Sequence, residues 1–200
     1  MNNTSLFFST LKTKLFLLAI TLSFLLPSYM QAQVVNVPDP FFLGALIDEG
    51  VDTNGDGQIQ VSEAEARVEL EIQDEMTTNL SGLEAFVNLE KLELETKATE
   101  LDLLPFFRLR ELKIIETPIS ELDLSNQQNL SLLTLDGLDL TELSLQNNLL
   151  LQLLSLTDLR ISNLDISRQA NLNSLFITRV GILEIDLSSC LLYTSPSPRD

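Results

Sequence analysis

A 21-residue spacing of leucine and isoleucine constrains this chain more than any other feature. Four consecutive repeats each carry an aliphatic residue at offsets 0, 3, 5, 10, 13 and 15, and they begin at Leu109, Leu130, Leu151 and Leu172. All 24 of these positions, six in each of four repeats, are Leu or Ile. A further repeat begins at Leu89 and is one residue shorter. Such a period predicts a stack of similar coils rather than one closed core.

Each repeat contains two L-x-L pairs, at offsets 3 and 5 and at offsets 13 and 15. Alternation with period two predicts a short strand at each pair, with the aliphatic side chains on one face. The predicted fold class is therefore α/β, a leucine-rich-repeat solenoid of parallel strands with 21-residue repeats. Beside the first pair, the residues expected to point outward are Lys91, Glu93, Glu95, Glu111, Lys113, Thr134, Asp136, Ser155, Thr157, Ser174, Phe176 and Thr178.

Residues 52–63, DTNGDGQIQVSE, match the calcium loop of an EF-hand. That loop takes oxygen ligands at positions 1, 3, 5, 7 and 12, often uses position 9 through water, and needs glycine at position 6. Position 6 is Gly57 and position 9 is Gln60. The predicted calcium ligands are Asp52, Asn54, Asp56, the backbone carbonyl of Gln58, and Glu63. A metal-free turn rich in Asp, Asn and Gly is the alternative.

Helices are predicted on both sides of this loop. Asp39 followed by Pro40 is typical of an N-cap with proline at the first helical position. After the loop, Ser62 and Glu65 have capping-box spacing. One face of that second helix would carry Ala64, Val68 and Ile72. We therefore predict a small helical, EF-hand-like cap over residues 34–79 and the solenoid over residues 80–190.

The two ends of the chain have sequences unlike the rest. Residues 1–33 resemble a secretory signal peptide, because Lys12 and Lys14 precede a 12-residue apolar run that is too short to span a bilayer. A small residue, Ala32, stands before the expected cut at Gln33; a buried N-terminal helix is the alternative. The string LLYTSPSPRD resembles adaptor-derived sequence, so residues 191–200 are interpreted as a non-native tail or a Pro-rich linker.

Composition excludes several kinds of site. The chain has no histidine and one cysteine, Cys190, which removes Ser-His-Asp and Cys-His catalysis, imidazole-dependent zinc sites and internal disulfides. It has 29 Asp and Glu against 12 Lys and Arg, and a net charge of −17 repels nucleic acid and anionic lipid. Carboxylates on a solenoid surface lack the cleft that a glycosidase needs, so no enzyme activity is predicted.

Three segments, VNVPDP, DTNGDGQIQVSEAEA and LSGLEAFVNLEKLEL, precede repeats of the form L-x-x-L-x-L-x(4)-I-x-x-L-D-L-S. Over residues 34–190 this pattern resembles secreted bacterial leucine-rich-repeat proteins of the Bacteroidetes type. The resemblance implies that LSGLEAF leads into the first repeat and that the solenoid serves adhesion or partner binding. Such repeats usually carry Asn at offset 8, which leaves the curvature of this solenoid open because that offset holds Thr117, Leu138, Leu159 and Val180.

Two rows of acidic residues follow the repeat beside the second L-x-L pair. Stacked coils lie about 4.8 Å apart, so these charges nearly stack. They are the candidate partner-binding residues, with solubility and turn hydrogen bonding as the alternative: Glu100, Glu121, Glu142 and Glu184 in one row, and Asp102, Asp123, Asp165 and Asp186 in the other.

These features together predict a secreted or cell-surface bacterial protein that binds calcium and mediates adhesion. Its partner would be an extracellular protein or a glycan, with neither nucleic acid nor a transmembrane segment involved. The alternative is a dockerin-like assembly module of a polysaccharide-degrading system. Dockerins use such loops in duplicate, and only one copy is visible in this sequence.

Overall fold

The computed structural model describes residues 33–182 and residue 185. The predicted signal peptide apart from Gln33, the tail at 191–200, Cys190, Glu184 and Asp186 lie outside the described residues. The elements are α1 (Pro40–Asp48), α2 (Val61–Ala66), β1 (Glu69–Asp74), a 3-10 helix (Leu83–Ala85), β2 (Lys91–Thr96), β3 (Glu111–Ile115), β4 (Leu132–Asp136), β5 (Leu153–Thr157) and β6 (Ser174–Thr178). Within this part of the chain, no helix is long and apolar enough to cross a membrane.

The six strands form one parallel sheet whose order follows the chain from β1 to β6. Glu111 pairs with Leu132, Leu132 with Leu153, and Leu153 with Ser174, a constant step of 21 residues. From β2 to β3 the step is 20 residues, Lys91 to Glu111, as the shorter first repeat requires. The predicted parallel solenoid and its repeat length are confirmed.

The first L-x-L pair supplies the inner face of each strand. In β3, β4 and β5 the second and fourth residues are buried and the other three are half-buried on the outer face. Leu112 and Ile114 of β3, for example, are fully buried. This core is continuous from the coils into the cap, where Phe42 and Leu46 of α1 belong to the same cluster. Each coil therefore covers the apolar surface of its neighbour, and α1 extends this core into the cap.

The prediction of a second strand is wrong for the repeats that begin at Leu109, Leu130 and Leu151, whose second L-x-L pairs lie within the described residues. The second L-x-L pair of the repeat at Leu109 is Leu122 and Leu124, and it faces the core without any strand pairing. The chain turns immediately afterwards, because the carboxylate of Asp123 accepts the backbone N–H of Ser125 at 2.9 Å. A turn held in this way bends the backbone out of the extended line that a ladder needs.

The prediction of a helix running through Ile72 is also wrong. Helix α2 ends at Ala66, Val68 is 51% exposed, and Ile72 is buried in strand β1. A spacing of four residues satisfies both a helix face and the period of two, so the pattern alone was ambiguous. Pairing with β2 decides it, since the Val68 carbonyl accepts N–H groups from Glu90 and Lys91 at 2.7 and 3.1 Å. The sheet therefore begins inside the segment assigned to the cap.

A ladder of side-chain amides runs through the interior at offset 18, a feature that the sequence analysis missed. Gln127, Asn148 and Gln169 are at most 1% exposed, and each donates to a backbone carbonyl of the preceding coil 24 residues earlier at 2.6–3.0 Å. Phe86 and Phe106 occupy the equivalent buried column in the coils before Gln127. Side-chain bonds between these coils are therefore made at offset 18, and in the repeat that begins at Leu109 the offset-8 residue Thr117 adds another by accepting the N–H of Thr96 at 3.1 Å.

Candidate functional site

The loop at residues 52–63 is closed by hydrogen bonds to its own acidic side chains. Gly55 and Gly57 have φ of 74° and 78°, which glycine adopts without strain. The Asp52 carboxylate accepts N–H groups from both glycines, at 2.7 and 2.8 Å. The side chain at the first ligand position is thereby held against the backbone at positions 4 and 6 of the loop.

Glu63, the last predicted ligand, is 8% exposed and turned inward. Its Oε1 accepts the N–H and the hydroxyl of Thr53 at 2.8 and 2.7 Å, and its Oε2 accepts the N–H of Gln60 at 2.9 Å. Burial acts to raise the pKa of Glu63, but these hydrogen bonds outweigh it and lower the pKa below its usual value. The capping box of α2 is thus formed by Gln60 and Glu63, not by Ser62 and Glu65 as predicted.

Gln60 contacts more of the predicted ligands than its position 9 in the motif suggested. It is 4% exposed, and its side chain lies between two predicted ligands. Its Oε1 accepts from Asn54 Nδ2 at 2.6 Å, and its Nε2 donates to Asp56 Oδ2 at 2.9 Å. Together with its N–H bond to Glu63, these contacts connect Gln60 to ligands at positions 3, 5 and 12.

The chemistry of this donor set fits calcium, which takes hard oxygen ligands. Asp52, Asp56 and Glu63 offer carboxylates, Asn54 an amide oxygen and Gln58 a backbone carbonyl, all within one loop. The carboxylates accept loop N–H groups, and within residues 33–182 no three acidic or cysteine side chains are grouped closely enough to hold a metal by themselves. The amide and carbonyl oxygens would therefore be needed as well.

The structure brings the predicted acidic rows together on one surface of the solenoid. Glu100, Asp102 and Glu121 line one open groove, and Glu121, Asp123 and Glu142 line the next. The aspartates serve the turns: Asp102, Asp123 and Asp165 each accept the N–H two residues later at 2.9 Å. These bonds favour the turn-forming interpretation of the aspartate row, while Glu100, Glu121 and Glu142 are exposed.

The outer face of the sheet changes character from one end to the other. Over β1–β3 it is charged, and its lysines pair along the coils, Lys91 with Glu111 at 3.9 Å and Lys113 with the buried Glu93. The hydrogen bond from Lys113 to Glu93 raises the pKa of Lys113. Over β4–β6 the face bears one acid, Asp136, among Leu132, Thr134, Leu153, Ser155, Thr157, Ser174, Phe176 and Thr178.

Phe176 is the most exposed aromatic residue of this face, at 58%. The register places Ser155 of β5 opposite it, and Thr134 of β4 stands opposite Ser155. Leu132 and Leu153 are adjacent in the neighbouring row. The outward direction of Phe176 was predicted, whereas the two leucines were missed because each immediately precedes a core leucine. We name Leu132, Leu153, Ser155, Phe176 and Thr178 the sheet-face patch.

Comparison with known proteins identifies the architecture. No protein-family model and no curated protein sequence matches the chain. Solved structures of three internalins from Listeria monocytogenes do. An internalin (InlF) gives a TM-score of 0.67 at 24% identity over 76% of this chain and 47% of its own, and an internalin C2 gives 0.62 at 24% over 81% and 74%. The functional domain of InlJ, described as including a cysteine ladder, gives 0.59 at 22% over 80% and 41%.

The chain has the leucine-rich-repeat fold. This similarity is one of fold, and the chain spans less than half the length of two of these three structures. With one cysteine in its sequence, it has no cysteine ladder, and its interior ladder consists of Gln127, Asn148 and Gln169.

Proposed function

We propose that this is an extracellular, non-enzymatic leucine-rich-repeat protein that binds a protein partner on the outer face of its sheet. The observation that carries the proposal is the sheet-face patch, where Phe176 stands exposed among aliphatic and hydroxyl side chains. Interface centres are depleted in charge and enriched in aromatic residues. Internalins share the fold, which supports a role in protein interaction or adhesion. Secretion is supported by the N-terminal sequence alone.

The charge of the face indicates the chemistry of this partner. Glu69, Glu71 and Glu95 add negative charge at the β1–β2 end, while Lys91 and Lys113 are already paired with acids. A complementary partner would present apolar side chains to β4–β6 and basic side chains to β1–β3. A protein is favoured over a glycan because the patch offers aliphatic surface and a single aromatic ring.

Selection from a displayed library of folded protein domains against the immobilised full chain tests this proposal. Partners selected on the native chain should lose at least tenfold in affinity on Phe176→Glu. The matched control is Phe107→Glu, because Phe107 is 51% exposed but lies outside the sheet, in the turn before β3. If selected partners tolerate Phe176→Glu, or lose affinity equally with the control, the sheet face is not the binding surface.

We also propose that the cap loop binds one calcium ion, held by Asp52, Asn54, Asp56, the carbonyl of Gln58, and Glu63. When bound, the ion supplies positive charge that offsets three carboxylates. The ligand pattern on a chain with an export-like N-terminus suggests an affinity of roughly 10⁻⁴–10⁻³ M, as in extracellular modules. Calorimetry should detect about one site. The heat of calcium binding should disappear in the Asp52→Ala, Asp56→Ala double variant. It should persist in Asp48→Ala, which removes an exposed acid outside the loop.

A further inference from the structure

A segment at the start of the described chain is hydrogen-bonded to the cap loop. The N–H of Val35 donates to the carbonyl of Ile59 at 2.8 Å, and the N–H of Val61 donates to the carbonyl of Gln33 at 2.7 Å. These two bonds form an antiparallel bridge that pairs Val34 with Gln60. We name residues 33–37 the N-terminal strap.

The strap also packs against the turn that leads into the first repeat. Gly82 in this turn has φ of 104°, and a Cβ built on it would lie 2.8 Å from Val37 Cγ2 and 3.0 Å from the carbonyl oxygen of Asn36. Real side chains do not tolerate such contacts without moving the strap. Glycine at position 82 therefore lets the strap lie between the loop and the solenoid.

The strap is bonded to the part of the loop that organises the predicted ligands. Its bridge partner Gln60 contacts Asn54 and Asp56 through its side chain and Glu63 through its N–H. Ile59, whose carbonyl accepts from the strap, is 1% exposed and belongs to the core. A displacement of the strap would release the backbone on both sides of Gln60, and with it three of the four side-chain ligands.

We propose that the N-terminal strap is a positioning element of the calcium site and sets its affinity. The sequence contains one such loop, and the strap pairs with its edge through the antiparallel bridge at Gln60. The inference rests on the proposed calcium function. A loop that is already held in place loses less conformational entropy when it binds calcium, so the docked strap raises the calcium affinity. By linkage, bound calcium must favour the docked strap by the same factor.

Calorimetry with calcium chloride on the full chain provides the first test. Val35→Pro removes the N–H that donates to Ile59, whereas Val35→Ala keeps it. We expect calcium to bind at least tenfold more weakly to Val35→Pro and within about threefold of native to Val35→Ala. Gly82→Ala should also weaken binding, while Gly137→Ala, which is likewise at a positive φ but whose Cβ would meet only Glu116 at 3.5–3.6 Å, should not. Equal affinities in native, Val35→Pro and Gly82→Ala chains would overturn the inference.

A second measurement needs no variant and so does not depend on how the variants fold. Residue-resolved hydrogen exchange of the native chain should show slower exchange of the Val35 and Val61 amides when calcium is added. The Gln152 amide donates to the carbonyl of Ser131 and so joins the coils that carry β4 and β5; its exchange should change less. Calcium binding without added protection at Val35 would overturn the strap inference alone, whereas absence of calcium binding to the native chain would overturn the calcium proposal and this inference with it.

Discussion

The carboxylate of Asp39 accepts a hydrogen bond from the backbone N–H of Asn79, 3.0 Å away across 40 residues of sequence. The same oxygen accepts the N–H of Thr78 at 2.9 Å, and the other oxygen accepts the N–H groups of Phe41 and Phe42 at the start of α1. One buried side chain therefore caps the first helix and fixes it to the turn before the first repeat.

Replacement of Asp39 by alanine should lower the free energy of unfolding by about 2–4 kcal/mol. Loss of the helix cap costs about 0.5–2 kcal/mol, and N–H groups of Thr78 and Asn79 left unpaired beside the core add about 1–3 kcal/mol. Urea denaturation at pH 7 measures the change. Asp48→Ala, at the exposed end of the same helix, should stay within about 0.5 kcal/mol of native. A similar effect for both variants would show that the tie contributes nothing.

Acid should weaken the cap through Asp39 and Glu63. Burial acts to raise the pKa of Asp39, but backbone N–H bonds outweigh it and hold the pKa below 3.8, as they do for Glu63 below 4.5. Both groups therefore stabilise the fold fully above these ordinary values, and this stability is lost as pH falls through the lowered ones. Urea midpoints between pH 7 and pH 3 should show the difference between native and Asp39→Asn chains shrinking with acid. A constant or widening difference would contradict the sign of the shift.

Two adjacent asparagines should differ sharply in their contribution to stability. Asn148 is fully buried and donates to the carbonyls of Leu124 and Gln127 at 3.0 and 2.9 Å. Asn148→Ala should cost about 1–3 kcal/mol in urea denaturation, because two buried carbonyls each lose one of their two N–H donors and keep a backbone donor. The exposed Asn147 donates once, to Ser125, and Asn147→Ala should cost less than about 1 kcal/mol. Equal losses would mean that the ladder is not a stabilising element.

The same substitution at two glycines should act in opposite directions. Gly137 has φ of 71°, at a repeat position where Glu116, Asp158 and Arg179 also have positive φ. Gly137→Ala should destabilise by about 1 kcal/mol, because a left-handed backbone penalises a Cβ. Gly44 lies inside α1 with open space around it, so Gly44→Ala should stabilise by about 0.5–1 kcal/mol. Thermal melts of both variants test the signs, and a matching sign for the pair would refute the argument.

Calcium removal should reduce stability without changing the fold. At ten times the dissociation constant, one ion adds about 1.4 kcal/mol, so chelation should lower the melting temperature by about 3–6 °C for a chain of this size. Far-UV circular dichroism at room temperature should remain unchanged, and the Asp52→Ala, Asp56→Ala variant should not respond. Binding of a hydrophobic dye to the still-folded, calcium-free chain would instead indicate a calcium switch.

The leucine period determined the solenoid because a buried position in a stack of coils must recur once per coil. Leu112, Leu133 and Leu154 predicted both the strands and their register. The N-cap at Asp39 and the loop glycines could be predicted for a similar reason, since each depends on neighbours within a few residues. Features that depend on local chemistry or on strict repetition can therefore be predicted from the sequence alone.

Only the tertiary structure decided the contacts between residues that are far apart in sequence and follow no repeat. The bond from Val35 to Ile59, the tie from Asp39 to Asn79 and the contact of Gly82 with the strap join segments 24 to 47 residues apart. Ile72 lies in a strand for the same reason. Its backbone pairs with Leu94 of the neighbouring strand, and this pairing buries its side chain, which an isolated helix would leave exposed. Such choices depend on which surface the folded coils leave nearby, and the pattern of side chains along the chain does not encode that surface.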